Sequence, residues 1–343
     1  METQKSYLIH FIILLLLLVV TFLLNVSLGS VSIPFNEVIS GIFGGETSKS
    51  SWQFIVFDYR LPKAFTAILA GGGLAVSGLL MQTLFRNPLA GPFVLGLSSG
   101  ASLGVAFLIL GAGIFGGALG GLLLSSWSLV IASALGSFLV LLAVLSVSFK
   151  VKDTMTLLII GLMFGSVTAA IVSVLSYFSN AEQLQQFVFW SFGTLGNVSW
   201  QGIFILSLCV VFGLLLSFVS IKPLNALLLG ENYAKSMGIN IKKTTLYIIL
   251  ATSLLAGSIT AFAGPIAFVG LAVPHLTRQY FTTSNHLVLL PAVLISGAIL
   301  MLVCDTVAQL PFTEYTLPIN AITSLLGAPV VIWLLVRKRK LLF

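Results

Sequence analysis

A short stretch rich in serine and glycine is the first place where this sequence could do chemistry. It reads Gly96-Leu97-Ser98-Ser99-Gly100 and matches G-x-S-x-G, the pattern that presents a nucleophilic serine on a sharp turn between a strand and a helix. An intramembrane serine protease would use Ser98 or Ser99 as nucleophile and His275 or His286 as base. The chain contains 32 glycines, so the pattern arises easily by chance. Packing of small residues between helices is therefore favoured, and the protease stays an alternative.

Other reactive motifs are absent from the sequence. No glycine is followed directly by lysine, so the chain has no P-loop and cannot hydrolyse ATP by that route. The HExxH zinc motif is missing too, and Cys209 and Cys304 stand alone in apolar runs, where packing is their expected role. The sequence therefore predicts no catalytic residues, no cofactor, no metal site and no enzymatic activity.

The composition predicts a membrane protein made of helices. Of the 343 residues, 58% are hydrophobic and only 7% are charged, and the mean hydropathy is +1.13. Apolar runs of about 20 residues, the length that spans a bilayer as a helix, recur along the chain. A soluble domain could not bury so many long runs. We therefore expect an all-α polytopic membrane protein that is surrounded by lipid and does not bind nucleic acid.

Ten apolar runs are candidate transmembrane helices. The first is longer than the apolar part of a signal peptide and lacks a small-residue cleavage site, so we expect it to be retained. One run, 264–281, is short and contains Pro265 and Pro274. We include it because it gives an even number of crossings, which is required when both termini lie on the same side of the membrane. The predicted spans are 7–28, 64–84, 93–113, 127–149, 156–178, 202–221, 245–263, 264–281, 287–308 and 315–336.

The basic residues predict the direction of these spans. Lys5 precedes the first run and Arg337-Lys338-Arg339-Lys340 follow the last, which indicates that both termini are cytoplasmic, since lysine and arginine concentrate on that side. In a ten-span topology all but three of the 16 basic residues then lie inside. The exceptions are Lys49, Arg60 and Lys63.

The segment 222–243 is unusually polar for this chain and carries four lysines and a glutamate. We predict one helical turn or two from Asn225 to Leu229, ended by Gly230, and a second short helix from Glu231 to Met237. Glu231 and Lys235 are spaced to pair across one turn, and Gly238 is placed to end the helix in a left-handed conformation. A solvated loop is the alternative. Two amphipathic helices at the membrane surface would instead form a docking site for a partner protein.

The acidic residues argue against transport driven by an ion gradient. Proton- and sodium-coupled carriers place carboxylates inside the membrane, and in the ten-span topology none of the nine acidic residues is clearly mid-membrane. Asp305, for example, is expected outside. An ion-coupled secondary carrier is therefore kept only as an alternative.

Several blocks between about residues 60 and 330 resemble, in the same order, the FecCD-type permeases, the membrane subunits of bacterial ABC importers for iron–siderophores, haem and cobalamin. The blocks are Arg60-Leu61-Pro62-Lys63, Gly78 with Gln82, Arg86-Asn87-Pro88-Leu89-Ala90-Gly91-Pro92, Leu95-Gly96, Leu229-Gly230-Glu231 with Ala234 and Ser236-Met237-Gly238, Gly264-Pro265-Ile266-Ala267-Phe268-Val269-Gly270-Leu271, Pro274-His275, Arg278, Asp305, and Gly327-Ala328-Pro329.

The resemblance implies a ten-helix fold like that of the cobalamin importer permease, with residues 1–343 as one transmembrane domain in the bacterial cytoplasmic membrane. It implies a permease homodimer or heterodimer, two separate ATP-binding subunits, and a periplasmic or lipid-anchored substrate-binding protein. The ATP-binding subunits would dock on residues 222–243, the coupling segment. The coupling residues implied are Leu229, Gly230, Glu231, Tyr233, Ala234, Met237 and Gly238.

The resemblance also implies that Arg60 and Lys63 pair with carboxylates of the binding protein on the outer face. The sequence departs from the family pattern at the second docking site. The family carries arginine four residues after the aspartate, whereas Gln309 follows Asp305 here. The proline-glycine expected nearby is replaced by Pro318-Ile319-Asn320. The cargo expected from the resemblance is an iron–siderophore, haem or cobalamin-type chelate, and no motif selects among the three.

Overall fold

Helices make up nearly all of the regular structure in the computed structural model, which describes residues 2–42, 45, 47–111, 126–148, 154–313 and 315–336. Within these ranges there is no strand. Two long helices contain a π-helical stretch, at Ile55–Arg60 and at Ser253–Gly257. The helices are α1 (Glu2–Ser27), α2 (Phe35–Ile42), α3 (Ser50–Leu84), α4 (Leu97–Ile109), α5 (Ser126–Ser148), α6 (Thr154–Tyr177), α7 (Ala181–Ser191), α8 (Trp200–Val219), α9 (Ile221–Leu227), α10 (Glu231–Ser236), α11 (Ile241–Ala263), α12 (Val269–Phe281), α13 (His286–Ala308) and α14 (Ile319–Val336).

The prediction of an all-α polytopic membrane protein is confirmed. Among the described residues, seven helices are long and apolar enough to cross a bilayer, and α4 and α14 are shorter apolar helices. The retained first helix is one of the seven, as Tyr7–Ser27. The short tenth run does form a helix, α12, but that helix is only 13 residues long and contains Pro274. The count of ten crossings therefore stays a prediction.

The coupling segment and the N-terminal part of α1 lie at the same end of the bundle. The ring of Tyr7 is 6.2 Å from that of Phe281 at the end of α12. Next to α12, Asn225 of α9 donates a hydrogen bond to Asn285 just before α13. We call this the coupling end. The opposite, far end holds the C-terminus of α1, where the amide of Phe312 donates to the carbonyl of Gly29.

Glycines let α3 pack closely against two neighbouring helices. A Cβ on Gly71 would lie 2.2 Å from the carbonyl oxygen of Gly297 in α13, and one on Gly78 would lie 1.8 Å from that of Gly270 in α12. Neither position can hold a larger residue without moving a helix backbone, because real Cβ atoms do not approach an oxygen so closely. Small residues at such crossings are the usual means of packing helices in membranes. The buried helix α3 is thus the centre of the fold.

Candidate functional site

The coupling segment folds as the two predicted short helices, α9 and α10. The first begins earlier than predicted, at Ile221, because α8 runs almost directly into it. Gly230 separates the two with φ of +110°, a conformation that residues with a Cβ avoid. Lys235 and Glu231 approach to 3.9 Å across one turn of α10, as predicted. This exposed pair stabilises the helix by only about 0.2–0.5 kcal/mol.

Gly238 ends α10 in the predicted left-handed conformation, with φ of +80°. The amide of Gly238 donates to the carbonyl of Lys235, and the amide of Ile239 donates to that of Ala234. These two bonds form a Schellman motif, which satisfies carbonyls at the helix end. No atom of the described residues lies within 4 Å of the position that a Cβ would take on Gly238. Backbone conformation, and not lack of space, therefore requires glycine here.

One side of the coupling segment is buried and the other presents apolar side chains. Ala234 is fully buried, and so are Leu224 and Leu227 at 0% and 2% exposure. Leu229, Tyr233 and Met237 are instead 65%, 49% and 59% exposed. Large apolar groups held on short rigid helices are typical anchors of protein interfaces. The sequence-predicted coupling residues thus divide into those that fix the segment to the bundle and those that remain available to a partner.

Arg60 is placed differently from what a docking role requires. It is only 5% exposed, and its guanidinium donates to the carbonyls of Val26, at 3.0 Å, Ser27, at 2.8 Å, and Val31. Two of these carbonyls, those of Val26 and Ser27, belong to the last turn of α1. A cation there satisfies acceptors that have no partner within the helix and interacts favourably with the negative end of the helix dipole. A Cβ on Gly29 would lie 2.8 Å from Nη2, so glycine makes room for the guanidinium. Arg60 is therefore a cap for α1.

Lys63 is also held inside the chain. Its Nζ lies 3.1 Å from Oδ1 of Asp305, and the two residues are 9% and 2% exposed. The other carboxylate oxygen accepts from Asn25, at 2.9 Å, and from Gln309, at 2.7 Å. The cluster thus joins α1, α3 and α13 at the far end. Docking of a binding protein on Arg60 and Lys63 stays a prediction, but the exposed cations it assumed are buried and paired.

The expectation that Asp305 lies on the outer side of the membrane stays a prediction. In the structure its carboxylate is at the far end, in the last turn of α13, buried among three helices. It is nevertheless fully paired, since one oxygen faces a lysine and the other accepts two hydrogen bonds. Gln309, noted only as a departure from the family pattern, is one of these donors. Asn25 was missed altogether. A polar residue late in the apolar run 7–28 was the signal that could have identified it.

The two histidines considered as protease bases have other partners. His275 Nε2 lies 2.8 Å from the carbonyl oxygen of Pro88. His286 lies between Thr83, at 2.9 Å from Nε2, and Asn225, at 2.7 Å from Nδ1. Gly96 lies between a 3₁₀ turn, Pro92–Leu95, and the start of α4, so no strand precedes the glycine-serine stretch. Local geometry thus gives the protease no support.

A cavity of about 650 Å³ opens at the far end between α4, α5, α7, α8 and α11. Its size is in the range of small-molecule sites, about 300–1,000 Å³. Aromatic groups and a few uncharged polar groups line it, so the cavity offers apolar contact without fixed charge. The principal lining residues are Trp127, Gln186, Phe189, Trp190, Asn197 and Phe262.

Comparisons with known proteins all identify transport permeases. The FecCD transport family model matches residues 17–337. The vitamin B12 import system permease protein BtuC of Klebsiella pneumoniae subsp. pneumoniae is 35% identical over 327 residues, which is 95% of this chain and 93% of that protein. The hemin transport system permease protein HmuU of Yersinia pestis is 35% identical over 332 residues, or 95% of each chain.

A solved structure supports the same relationship. It is described as an inward-facing conformation of a metal-chelate type ABC transporter, and its sequence is 32% identical. The superposition has a TM-score of 0.80 and covers 95% of this chain and 98% of the other. The similarity thus extends to the whole helical arrangement.

Proposed function

Because the chain belongs to the FecCD transport family, we propose that it is the membrane permease subunit of a bacterial ABC importer that moves a cobalamin, haem or iron–siderophore chelate into the cytoplasm. It is a multi-pass transport protein and not an enzyme. The observation that supports the proposal best is the coupling segment, where the exposed side chains of Leu229, Tyr233 and Met237 stand on two short helices. ATP would bind to separate partner subunits, and these subunits would dock on this surface.

In the proposed complex two permease subunits, identical or different, enclose the path, and each receives one ATP-binding subunit at its coupling segment. The substrate-binding protein approaches the far end. The binding protein and ATP each shift the balance between the outward-facing and inward-facing states, because each binds the two states with different affinity. A carboxylate of the binding protein that reached Lys63 would compete with Asp305, which already holds this lysine at 3.1 Å.

The proposed orientation places the coupling end and both termini in the cytoplasm. Residues 337–343, which carry four of the basic residues behind this assignment, lie outside the described residues. We expect cysteine at Lys49 to react with a membrane-impermeant maleimide in intact cells, and cysteine at Lys235 to react only after permeabilisation. The variants are made in a background without Cys209 and Cys304. Labelling of both positions from one side would contradict the orientation.

Aspartate at both Tyr233 and Met237 should abolish assembly with the ATP-binding subunit. Central interface residues contribute about 2 kcal/mol or more each, and a loss of 2 kcal/mol weakens binding about 30-fold. The measurement is co-purification from membranes that contain both subunits. Asn232→Asp adds one negative charge to the exposed surface of the same helix and should leave assembly intact. If the double variant still co-purifies with the ATP-binding subunit, the coupling surface lies elsewhere.

Uptake into proteoliposomes tests the proposed function and separates it from its rivals. The complete complex should accumulate cobalamin, haem or a ferric siderophore only with ATP and a binding protein. Accumulation by the isolated permease along a proton or sodium gradient would instead support a secondary carrier. Cleavage of a membrane peptide, lost in Ser98→Ala or Ser99→Ala, would support the protease.

A further inference from the structure

A polar chain connects α9 to the two helices at the centre of the fold. Asn285 Oδ1 accepts from the amide of Leu287 in the first turn of α13, and Asn225 Nδ2 donates to the same oxygen at 3.0 Å. Asn225 Oδ1 accepts from the amide of His286 at 2.9 Å. Amides in the first turn of a helix have no partner within that helix. Asn225, on a different helix, therefore caps α13.

The backbone amides of His286 and Leu287 fix the directions of the bonds that Asn225 and Asn285 make. Because Asn225 Oδ1 is an acceptor, the ring nitrogen 2.7 Å away, Nδ1 of His286, must carry a hydrogen. In the neutral imidazole Nε2 is then the acceptor, and the hydroxyl of Thr83 is positioned to donate its single hydrogen to Nε2, at 2.9 Å, in place of the Leu79 carbonyl oxygen, which lies at the same distance. His286 and Thr83 are both fully buried. The imidazole thus bridges α9, α13 and α3 in a place where an unmade bond is expensive.

The helices α3 and α13, which Thr83 and His286 join at the coupling end, are also joined at the far end. Gly71 and Gly297 bring α3 and α13 into backbone contact, and Lys63 and Asp305 pair them at the far end. The two helices are thus held together by a bonded contact at each end and a close approach between, an arrangement that resists sliding and bending. A displacement of α9 would act on this unit through the bonds of Asn225 to Asn285 and His286.

We propose that Asn225, His286 and Thr83 are positioning residues that fasten the coupling segment to the α3–α13 unit, and that this unit carries nucleotide-driven movement to the far end. The inference rests on the proposed function for the source of that movement, because ATP is expected to act at the coupling segment. The fastening itself depends only on the contacts within this chain.

Hydrogen–deuterium exchange of the purified full-length permease tests the fastening without any partner. Thr83→Val removes the hydroxyl and keeps the shape of the side chain, whereas Thr83→Ser keeps the hydroxyl. We expect Thr83→Val to speed amide exchange in Ile221–Leu227 by about tenfold, as the loss of a buried hydrogen bond implies. Thr83→Ser should exchange like the unmodified chain. Equal exchange in all three proteins would overturn the fastening.

The same measurement on the complex with its ATP-binding subunit tests the transmission. ATP with vanadate should change exchange both in the coupling segment and at the far end, around 50–60 and 308–313. In Thr83→Val the change in the coupling segment should remain and the change at the far end should be lost. If the far-end change persists in Thr83→Val, or is absent from the unmodified complex, the transmission is overturned. If no ATPase binds the unmodified permease, the proposed function fails while the exchange result still decides the fastening.

Discussion

Replacement of Lys63 by methionine is expected to lower the free energy of unfolding by about 3–5 kcal/mol, the usual effect of removing one partner from a buried ion pair. Methionine keeps most of the length and volume of the lysine stem, so the effect comes from the charge. Asp305, at 2% exposure, would keep its bonds to Asn25 and Gln309 but lose its only described cation. The measurement is SDS titration of the purified permease in mixed micelles.

The matched control neutralises both partners. Lys63→Met combined with Asp305→Asn leaves no unpaired charge, and replacing a whole buried pair is often close to neutral. We expect the double variant to recover most of the lost stability. If Lys63 served only to dock the binding protein, the single variant would unfold like the unmodified permease and would show only weaker docking. That outcome would contradict the internal role of the ion pair.

The coupling segment could be predicted because its signals are local. Glycine at 230 and 238, a lysine four residues after a glutamate, and apolar side chains among charges act over a few residues. Each has a direct physical meaning: an unusual backbone angle, a pair across one turn, and an amphipathic surface. The structure gives two short helices with those glycines at their boundaries. Only the first helix begins elsewhere than predicted.

The polar contacts between helices could not be predicted in this way. Thr83 and His286 are 203 residues apart, and Asn25 and Asp305 are 280 apart. Nothing near any of these residues in the sequence identifies its partner. A charge rule that counts lysines and arginines by side of the membrane treats every cation as solvated. It therefore marked Arg60 and Lys63 as exceptional, but it could not tell that their partners lie in α1 and α13.

Gly78→Ala is expected to have the second large effect, because one added methyl group would collide with a helix backbone. The new Cβ would lie 1.8 Å from the carbonyl oxygen of Gly270 and 2.6 Å from its Cα. Relief requires α3 and α12 to separate by more than about 1 Å, which also strains the bonds of Gln82 to the carbonyls of Gly270 and Leu271. Overpacking of a rigid core costs about 1–3 kcal/mol and sometimes more. Since backbone and not a flexible side chain is displaced, we expect about 3 kcal/mol or more.

The yield of monodisperse protein and the midpoint of SDS unfolding measure this effect, and Gly257→Ala is the matched control. Gly257 is also a buried helical glycine, but its nearest contact to an added Cβ is Ser137 Cβ at 3.8 Å, an ordinary distance. Alanine there fits without strain and reduces the freedom of the unfolded chain, so Gly257→Ala should be neutral or stabilising by up to about 1 kcal/mol. A loss of stability in Gly78→Ala together with unchanged or higher stability in Gly257→Ala would show that the effect comes from the close approach of α3 and α12. Equal loss in both variants would indicate a general intolerance of the core, and no loss at Gly78 would mean that α12 moves away from α3 at little cost.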